Sequence, residues 1–124
     1  MSSATIPEMT TLLIVDDHPS FRASARAILQ SEGFEVVGEA TDGATAIEAA
    51  QTLHPDVVLL DVQLPDMSGF DVCERLRGNG GAPKVVLVSS HDASDFGPCI
   101  EKSGAAGFVT KGELSGAAVT ALLP

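Results

Sequence analysis

Four apolar runs in this 124-residue chain each end on a polar residue. Residues 12–15 run into Asp16 and Asp17, residues 57–60 into Asp61, residues 85–88 into Ser89, and residues 108–110 into Lys111. Short uninterrupted runs rich in Val, Leu and Ile belong to strands buried on both faces, the arrangement found in parallel sheets. Ligands of such sheets bind beyond the carboxyl ends of the strands. Side by side, these strand ends would gather three carboxylates, a hydroxyl and an ammonium in one pocket.

The segments between the runs carry helical spacing and helix punctuation. After Asp17, Pro19 suits a first helical turn, Phe21, Ala25, Ile28 and Leu29 share a face, and Gly33 supplies a stop. Residues 34–39 alternate as a short, more exposed strand, and an Asp42-Gly43 turn leads into a helix over 44–53 with Ile47, Ala50 and Leu53 on one side. His54-Pro55 breaks it. Residues 63–67 read as a Pro-containing loop, Ser68 and Asp71 as a capping box opening a helix through Phe70, Cys73, Leu76 and Arg77, and residues 78–83 as the closing turn. Gly97-Pro98 interrupts the next helical stretch, over 92–103, which predicts a short or late-starting helix. Leu114, Ala118 and Leu122 form the stripe of a last helix over 112–123. Five β-α units in series imply an α/β fold: a parallel sheet with right-handed crossovers and helices on both faces.

Composition narrows the classes of function. A net charge of −10 with only seven basic residues argues against unaided binding of nucleic acid or anionic membrane. The two cysteines, Cys73 and Cys99, lack the spacing of a disulfide framework or zinc site and read as small packing residues. His18, His54 and His91 show no metal-ligand spacing and read as exposed loop residues, with His91 a candidate for the pocket's rim. Residues 1–10 have neither the basic nor the apolar segment of a signal peptide and read as a loose tail ahead of one domain over 11–124. No apolar stretch approaches membrane-spanning length, so the chain reads as soluble, and its cysteine usage makes a reducing cytosol the expected location.

Two doubly wound arrangements compete, a Rossmann-like unit and a flavodoxin-like five-stranded sheet, and the first loop chooses between them. A dinucleotide fold wants Gly-x-Gly-x-x-Gly after its first strand, whereas Asp16-Asp17-His18-Pro19 stands here. Carboxylates would repel phosphate unless a cation intervened. Two adjacent acids with Asp61 make a negative site that a hard divalent ion relieves, and oxygen donors favour Mg²⁺ or Mn²⁺. Lys111 adds a second positive charge, Ser89 a hydroxyl donor, and an aspartate can carry a phosphoryl group covalently.

This set, in this order, resembles the receiver domain of two-component response regulators, over roughly residues 11–123. The local words are similar too: Leu-Leu-Ile-Val-Asp-Asp-His-Pro at 12–19, Val-Val-Leu-Leu-Asp-Val-Gln-Leu-Pro-Asp-Met-Ser-Gly-Phe at 57–70, Val-Val-Leu-Val-Ser-Ser at 85–90, and Gly-Phe-Val-Thr-Lys at 107–111. The resemblance implies a flavodoxin-like (βα)5 fold with strand order 2-1-3-4-5. It implies Asp61 as phosphoacceptor in an Mg²⁺-dependent reaction, with Asp17, Asp61 and the Gln63 main-chain carbonyl as metal ligands and Asp16 acting through bound water. Ser89 would be the switch hydroxyl and Lys111 the phosphate-pairing lysine. Phe108 would be the aromatic that rotates on activation, although spacing alone makes it ordinary core. The implied phosphodonor is a sensor histidine kinase or phosphotransfer protein, and the product is a changed affinity for a downstream protein, with a phosphorylation-dependent homodimer left open.

Such a chain is a switch that assists its own phosphorylation and dephosphorylation rather than an enzyme in the usual sense. The wording resembles regulators with a C-terminal helix-turn-helix, and the expectation favours a free-standing relative of them over a trimmed one. Two other classes compete. A haloacid-dehalogenase-type phosphohydrolase uses similar residues, but its Asp-x-Asp spacing is absent: Asp16 and Asp17 are adjacent, and Gln63 stands where the second acid after Asp61 would be. An interaction module with the same fold and no chemistry would not need the acidic set. One departure from the family stands out, since Gly112 follows the lysine where proline is usual.

Overall fold

The computed structural model describes residues 9–77 and 82–123. The tail expected over 1–10 therefore falls almost wholly outside the described residues, as does most of the turn expected over 78–83. The order of elements is β1 (Thr11–Val15), α1 (Pro19–Ser31), β2 (Glu35–Ala40), α2 (Gly43–Leu53), β3 (Val57–Asp61), α3 (Gly69–Arg77), β4 (Lys84–Ser89), α4 (Cys99–Lys102), β5 (Gly107–Thr110) and α5 (Gly116–Leu122). All strand pairs are parallel, in the order β2-β1-β3-β4-β5. The sheet is thus flavodoxin-like, as expected, with β1 and β3 at its centre.

Both faces of the sheet are covered, which is why the central runs lack polar alternation. Leu13, Val15, Val58, Leu60, Val85 and Leu87 pack on one side with Ala46 and Ala50 of α2 and Val72, Cys73 and Leu76 of α3. Leu12, Ile14, Val57, Leu59, Val86 and Val88 pack on the other with Ala25 and Leu29 of α1 and Val119 of α5. Each such buried Leu or Val contributes about 1.5–3 kcal/mol relative to exposure. Two layers of helix therefore clamp the strands, and the strand ends are held at fixed heights.

The local punctuation behaves mostly as its chemistry dictates. Gly33, at φ +96°, and His54, at φ +48°, end α1 and α2 in the left-handed region. The Asp42 side chain accepts the Thr45 N–H at 2.8 Å in a capping box that starts α2 one residue earlier than expected. Ser68 Oγ accepts the Asp71 N–H at 3.1 Å. The weak fourth helix is late and short: a 3₁₀ turn spans Ala93–Phe96, Gly97 turns the chain at φ +55°, and only Cys99–Lys102 is α-helical. Three expectations need correction. Helix α5 starts at Gly116 instead of 112, because Ser115 caps it by accepting the Ala118 N–H while Lys111–Glu113 form a separate 3₁₀ turn. Leu53 is exposed, since Ala46 and Ala50 form the inner stripe of α2. Cys99 is exposed rather than packed.

Charged side chains fasten α1 to the edge strand β2. Glu39 on β2 meets Arg22 at 3.0 Å and Arg26 at 2.7 Å. The Arg26 hydrogen bond, helped by Arg22 and opposed by partial burial, holds the Glu39 carboxyl below its usual range. A lowered folded pKa means that this contribution is present above the unfolded value and fades as pH falls through the folded one. Solvent screening keeps it small. Glu39→Gln should cost about 0.5–1 kcal/mol in urea unfolding at pH 7, with the gap to the parent closing by about pH 3. A gap unchanged at low pH would assign the effect to packing.

Candidate functional site

The parallel register brings the predicted residues to one edge. Val15 pairs with Leu60 and Asp61 with Val88, so Asp16 and Asp61 leave adjacent strands at neighbouring levels. Ser89 pairs with Thr110, so Lys111 leaves β5 one position beyond. Strand β4 ends on Ser89, which is buried, whereas Ser90 is exposed. This boundary selects Ser89 as the inward hydroxyl.

Lys111 reaches back across β4. Its Nζ lies 2.6 Å from Asp16 Oδ2 and 3.2 Å from Asp61 Oδ2. It also sits 4.6 Å from the centroid of the Phe21 ring, a cation–π contact from α1. Asp16 is fully buried, and its Oδ2 has no hydrogen-bond donor besides this ion pair among the described residues. Its Oδ1 accepts the His18 N–H at 2.8 Å and meets His18 Nδ1 at 2.9 Å. Asp61, nearly as buried, accepts the Gln63 N–H at 2.9 Å through Oδ1. Asp17 is exposed, with Oδ1 3.2 Å from His18 Nδ1.

The two buried acids divide electrostatically. Burial pushes both carboxyls up. At Asp16 the Lys111 ammonium and the His18 donors outweigh burial and hold the group below the usual range. At Asp61 the single Gln63 N–H and the more distant ammonium do not, and the Asp16 charge adds to burial, so its carboxyl is raised. Lys111 is pushed down by burial but raised overall by its two carboxylates.

Asp16, Asp17, His18 and Asp61 each offer a ligand atom, and these atoms lie within 4.8 Å of one another. The donor set fits a divalent cation: two carboxylates share one ammonium, Asp16 Oδ2 is otherwise orphaned, and Asp17 faces solvent. His18, read from the sequence as an ordinary loop residue, belongs to this cluster; its adjacency to the acid pair was the signal. The other two histidines stay outside it, with the His91 N–H donating to Ser89 Oγ at 3.1 Å.

The loop between β3 and α3 holds Asp61 in place. The Gly69 N–H donates to the Val62 carbonyl at 2.6 Å, and Gln63 and Ser68 form an antiparallel bridge. Any Cβ on Gly69 would overlap the Asp61 carbonyl, so only glycine fits. Asp66, at the loop's tip, accepts the Gly43 and Ala44 N–H groups at 2.7 and 3.0 Å and caps α2 from outside, a tertiary role without a local sequence signal. Phe108 is half-buried on the α3 side, where Phe96 stacks between it and Phe70, with both centroid distances 5.8 Å. The 3₁₀ turn that replaces the first part of helix four supplies that ring. The Lys111–Gly112 bond is trans, like every described peptide bond.

The fold is a doubly wound parallel sheet with an acid pair, a third acid and a lysine gathered at its strand ends. The response regulator receiver domain family matches residues 12–122, and the chain belongs to it. The nitrate/nitrite response regulator NarP of Escherichia coli is 40% identical over 109 residues, covering 86% of this chain and 51% of its own length. The signal receiver domain of a NarL response regulator from Mycobacterium tuberculosis superposes with TM-score 0.82 at 37% identity, covering 94% of this chain and 98% of that one. The chemotaxis response regulator CheY4 of Vibrio cholerae gives TM-score 0.83 at 26% identity, covering 94% of this chain and all of its own, 100%. The chain spans about half the length of the curated relatives it matches. Among the described residues, no helix is long and apolar enough to cross a membrane.

The raised Asp61 carboxyl has a consequence for stability. A folded pKa above the unfolded one means that the fold is favoured by the neutral form, and that ionisation costs stability as pH rises through the carboxylate range. Asp61→Asn should therefore stabilise the metal-free chain at pH 7 by about 1 kcal/mol, about 4 °C in melting temperature for a domain of this size, with little difference near pH 3. A destabilised variant at pH 7 would show that the Lys111 contact dominates at Asp61.

Proposed function

We propose that this receiver accepts a phosphoryl group on Asp61 from a phosphohistidine of a sensor kinase or phosphotransfer protein, and that the adduct changes its affinity for a downstream partner. The observation that carries the reading is the pairing of a buried strand-end carboxylate, Asp61, with an ammonium 3.2 Å away that is shared with Asp16. Attack by an Asp61 carboxylate oxygen forms the O–P bond as the N–P bond of the donor breaks, and the electron pair leaves with the imidazole. Asp17, Asp61 and the Gln63 carbonyl would hold Mg²⁺, with Asp16 acting through water. The ion would neutralise charge on the transferring oxygens.

The chain's own residues have identifiable tasks. Lys111 supplies the fixed positive charge, and its release from Asp16 lets it face the phosphoryl group. The Ser89 hydroxyl accepts the His91 N–H, so its proton can be donated to a phosphoryl oxygen. Drawing Ser89 and Lys111 toward one adduct pulls the ends of β4 and β5 together, and Phe108, between them and α4, follows inward. A groove of about 500 Å³ lined by Ala93, Phe108, Thr110, Glu113, Ala118 and Leu122 adjoins this region and suits a readout surface. The output lies in protein partners or in a further region such as the relatives' additional length would hold, and the expected compartment is the cytoplasm.

Incubation with Mg²⁺ and a small acyl phosphate, followed by intact-mass analysis, tests the reading. The parent should gain one phosphoryl group, which does not form when Mg²⁺ is left out and is absent in Asp61→Asn. No adduct from any donor, or an adduct that persists in Asp61→Asn, contradicts it, and rapid turnover of unrelated phosphate esters would point to a phosphohydrolase.

A further inference from the structure

We propose that Arg22 is a positioning residue for the acid pair: its guanidinium fixes the Asp16–Asp17 peptide and so keeps the Asp17 carboxylate within the acidic cluster. The inference rests on the cation-binding reading above and names what holds the exposed acid of that site. Asp17 has little else to hold it. Its side chain is exposed and, among the described residues, meets only the exposed His18 ring, at 3.2 Å. The backbone that carries it therefore sets the direction of its carboxylate.

Both main-chain groups of Asp16 are tied to the β2 side of the sheet. Its N–H donates to the Ala40 carbonyl at 3.1 Å. Its carbonyl belongs to a fully buried residue and needs a donor in place of water, which Arg22 Nη1 supplies at 2.8 Å. Arg22 is itself anchored, since its Nε donates to Glu39 Oε1 at 3.0 Å while Glu39 Oε2 accepts Arg26 Nε at 2.7 Å. One planar group is thus held through one donor and holds the peptide through another, a fork that a lysine ammonium does not reproduce. The place of Arg22 in α1 makes this reach natural. It lies in the first turn, its N–H on the His18 carbonyl at 3.1 Å, and long helical side chains lean toward the N-terminus, here back over the acid pair. Arg26, one turn later, bonds Glu39 alone among the described residues.

Calorimetric titration of the parent, Arg22→Ala, Arg22→Lys and Arg26→Ala with Mg²⁺ tests the proposal, with circular dichroism to check that each variant folds. Arg22→Ala should weaken Mg²⁺ binding about tenfold. Arg22→Lys, which keeps the charge and loses the fork, should also bind more weakly than the parent, and it carries the test alone if the alanine variant does not fold. Arg26→Ala removes the same charge and the same ion-pair partner, yet should change the affinity by less than about twofold. NMR of the metal-free proteins gives a reading without the ion: the Asp16 carbonyl ¹³C resonance should move upfield in Arg22→Ala and stay in place in Arg26→Ala. Parent affinity in Arg22→Ala, or an unmoved Asp16 carbonyl, would overturn the proposal and leave Arg22 a stabilising pair with Glu39. Full affinity in Arg22→Lys would assign the effect to charge, and an equal loss in Arg26→Ala would assign it to the packing of α1 on β2; either overturns the positioning role. No Mg²⁺ binding by the parent would overturn the cation-binding reading, and this one with it.

Discussion

One ammonium holds the site together. Lys111 leaves the last strand and reaches past β4 to the carboxylates of β3 and β1, 3.2 and 2.6 Å away. Without it, two buried acids at neighbouring strand ends would face each other with one backbone N–H at Asp61 and the His18 donors at Asp16. Burying such charges is costly, and removing the ammonium would leave two buried carboxylates without their shared counter-charge. The arrangement therefore depends on a single ammonium shared by two carboxylates.

The rest of the fold serves to keep that ammonium and its acids at fixed heights. Parallel pairing sets Asp16, Asp61 and Ser89 at successive strand ends, and helices on both faces hold the strands in register. Gly69 lets the β3–α3 loop fold back onto the Asp61 carbonyl. Asp66 ties the same loop to the start of α2. Phe21 packs against Lys111 from α1 and Phe96 against Phe108 from the 3₁₀ turn, so both residues nearest the proposed switch have aromatic neighbours.

What could be read in advance was what repeats along the chain. Runs of buried aliphatics ending on acids, Ser89 and Lys111 announced the sheet and the edge where those residues gather, because burial on both faces leaves a pattern that local contacts cannot disguise. The late fourth helix was legible from Gly97-Pro98. Interactions that link distant residues left no such trace: Asp66 capping α2 from 22 positions away, or Phe96 wedged between Phe70 and Phe108. The start of α5 was missed for a local reason, since its apolar stripe continues through Leu114 although Ser115 caps the helix behind it. His18 read as an ordinary loop residue because spacing rules weigh distant partners, whereas its ring lies against the two acids that immediately precede it.

In the proposed switch, Lys111 exchanges Asp16 for a phosphoryl group on Asp61. A crystal structure of the Mg²⁺- and beryllofluoride-bound chain, with beryllofluoride standing in for the phosphoryl group, tests it directly. The account predicts a trifluoroberyllate on an Asp61 carboxylate oxygen, Lys111 Nζ within hydrogen-bond distance of a fluoride and no longer on Asp16 Oδ2, and Ser89 Oγ turned toward a second fluoride. An adduct with Lys111 still paired to Asp16, or with Ser89 turned away, would contradict it.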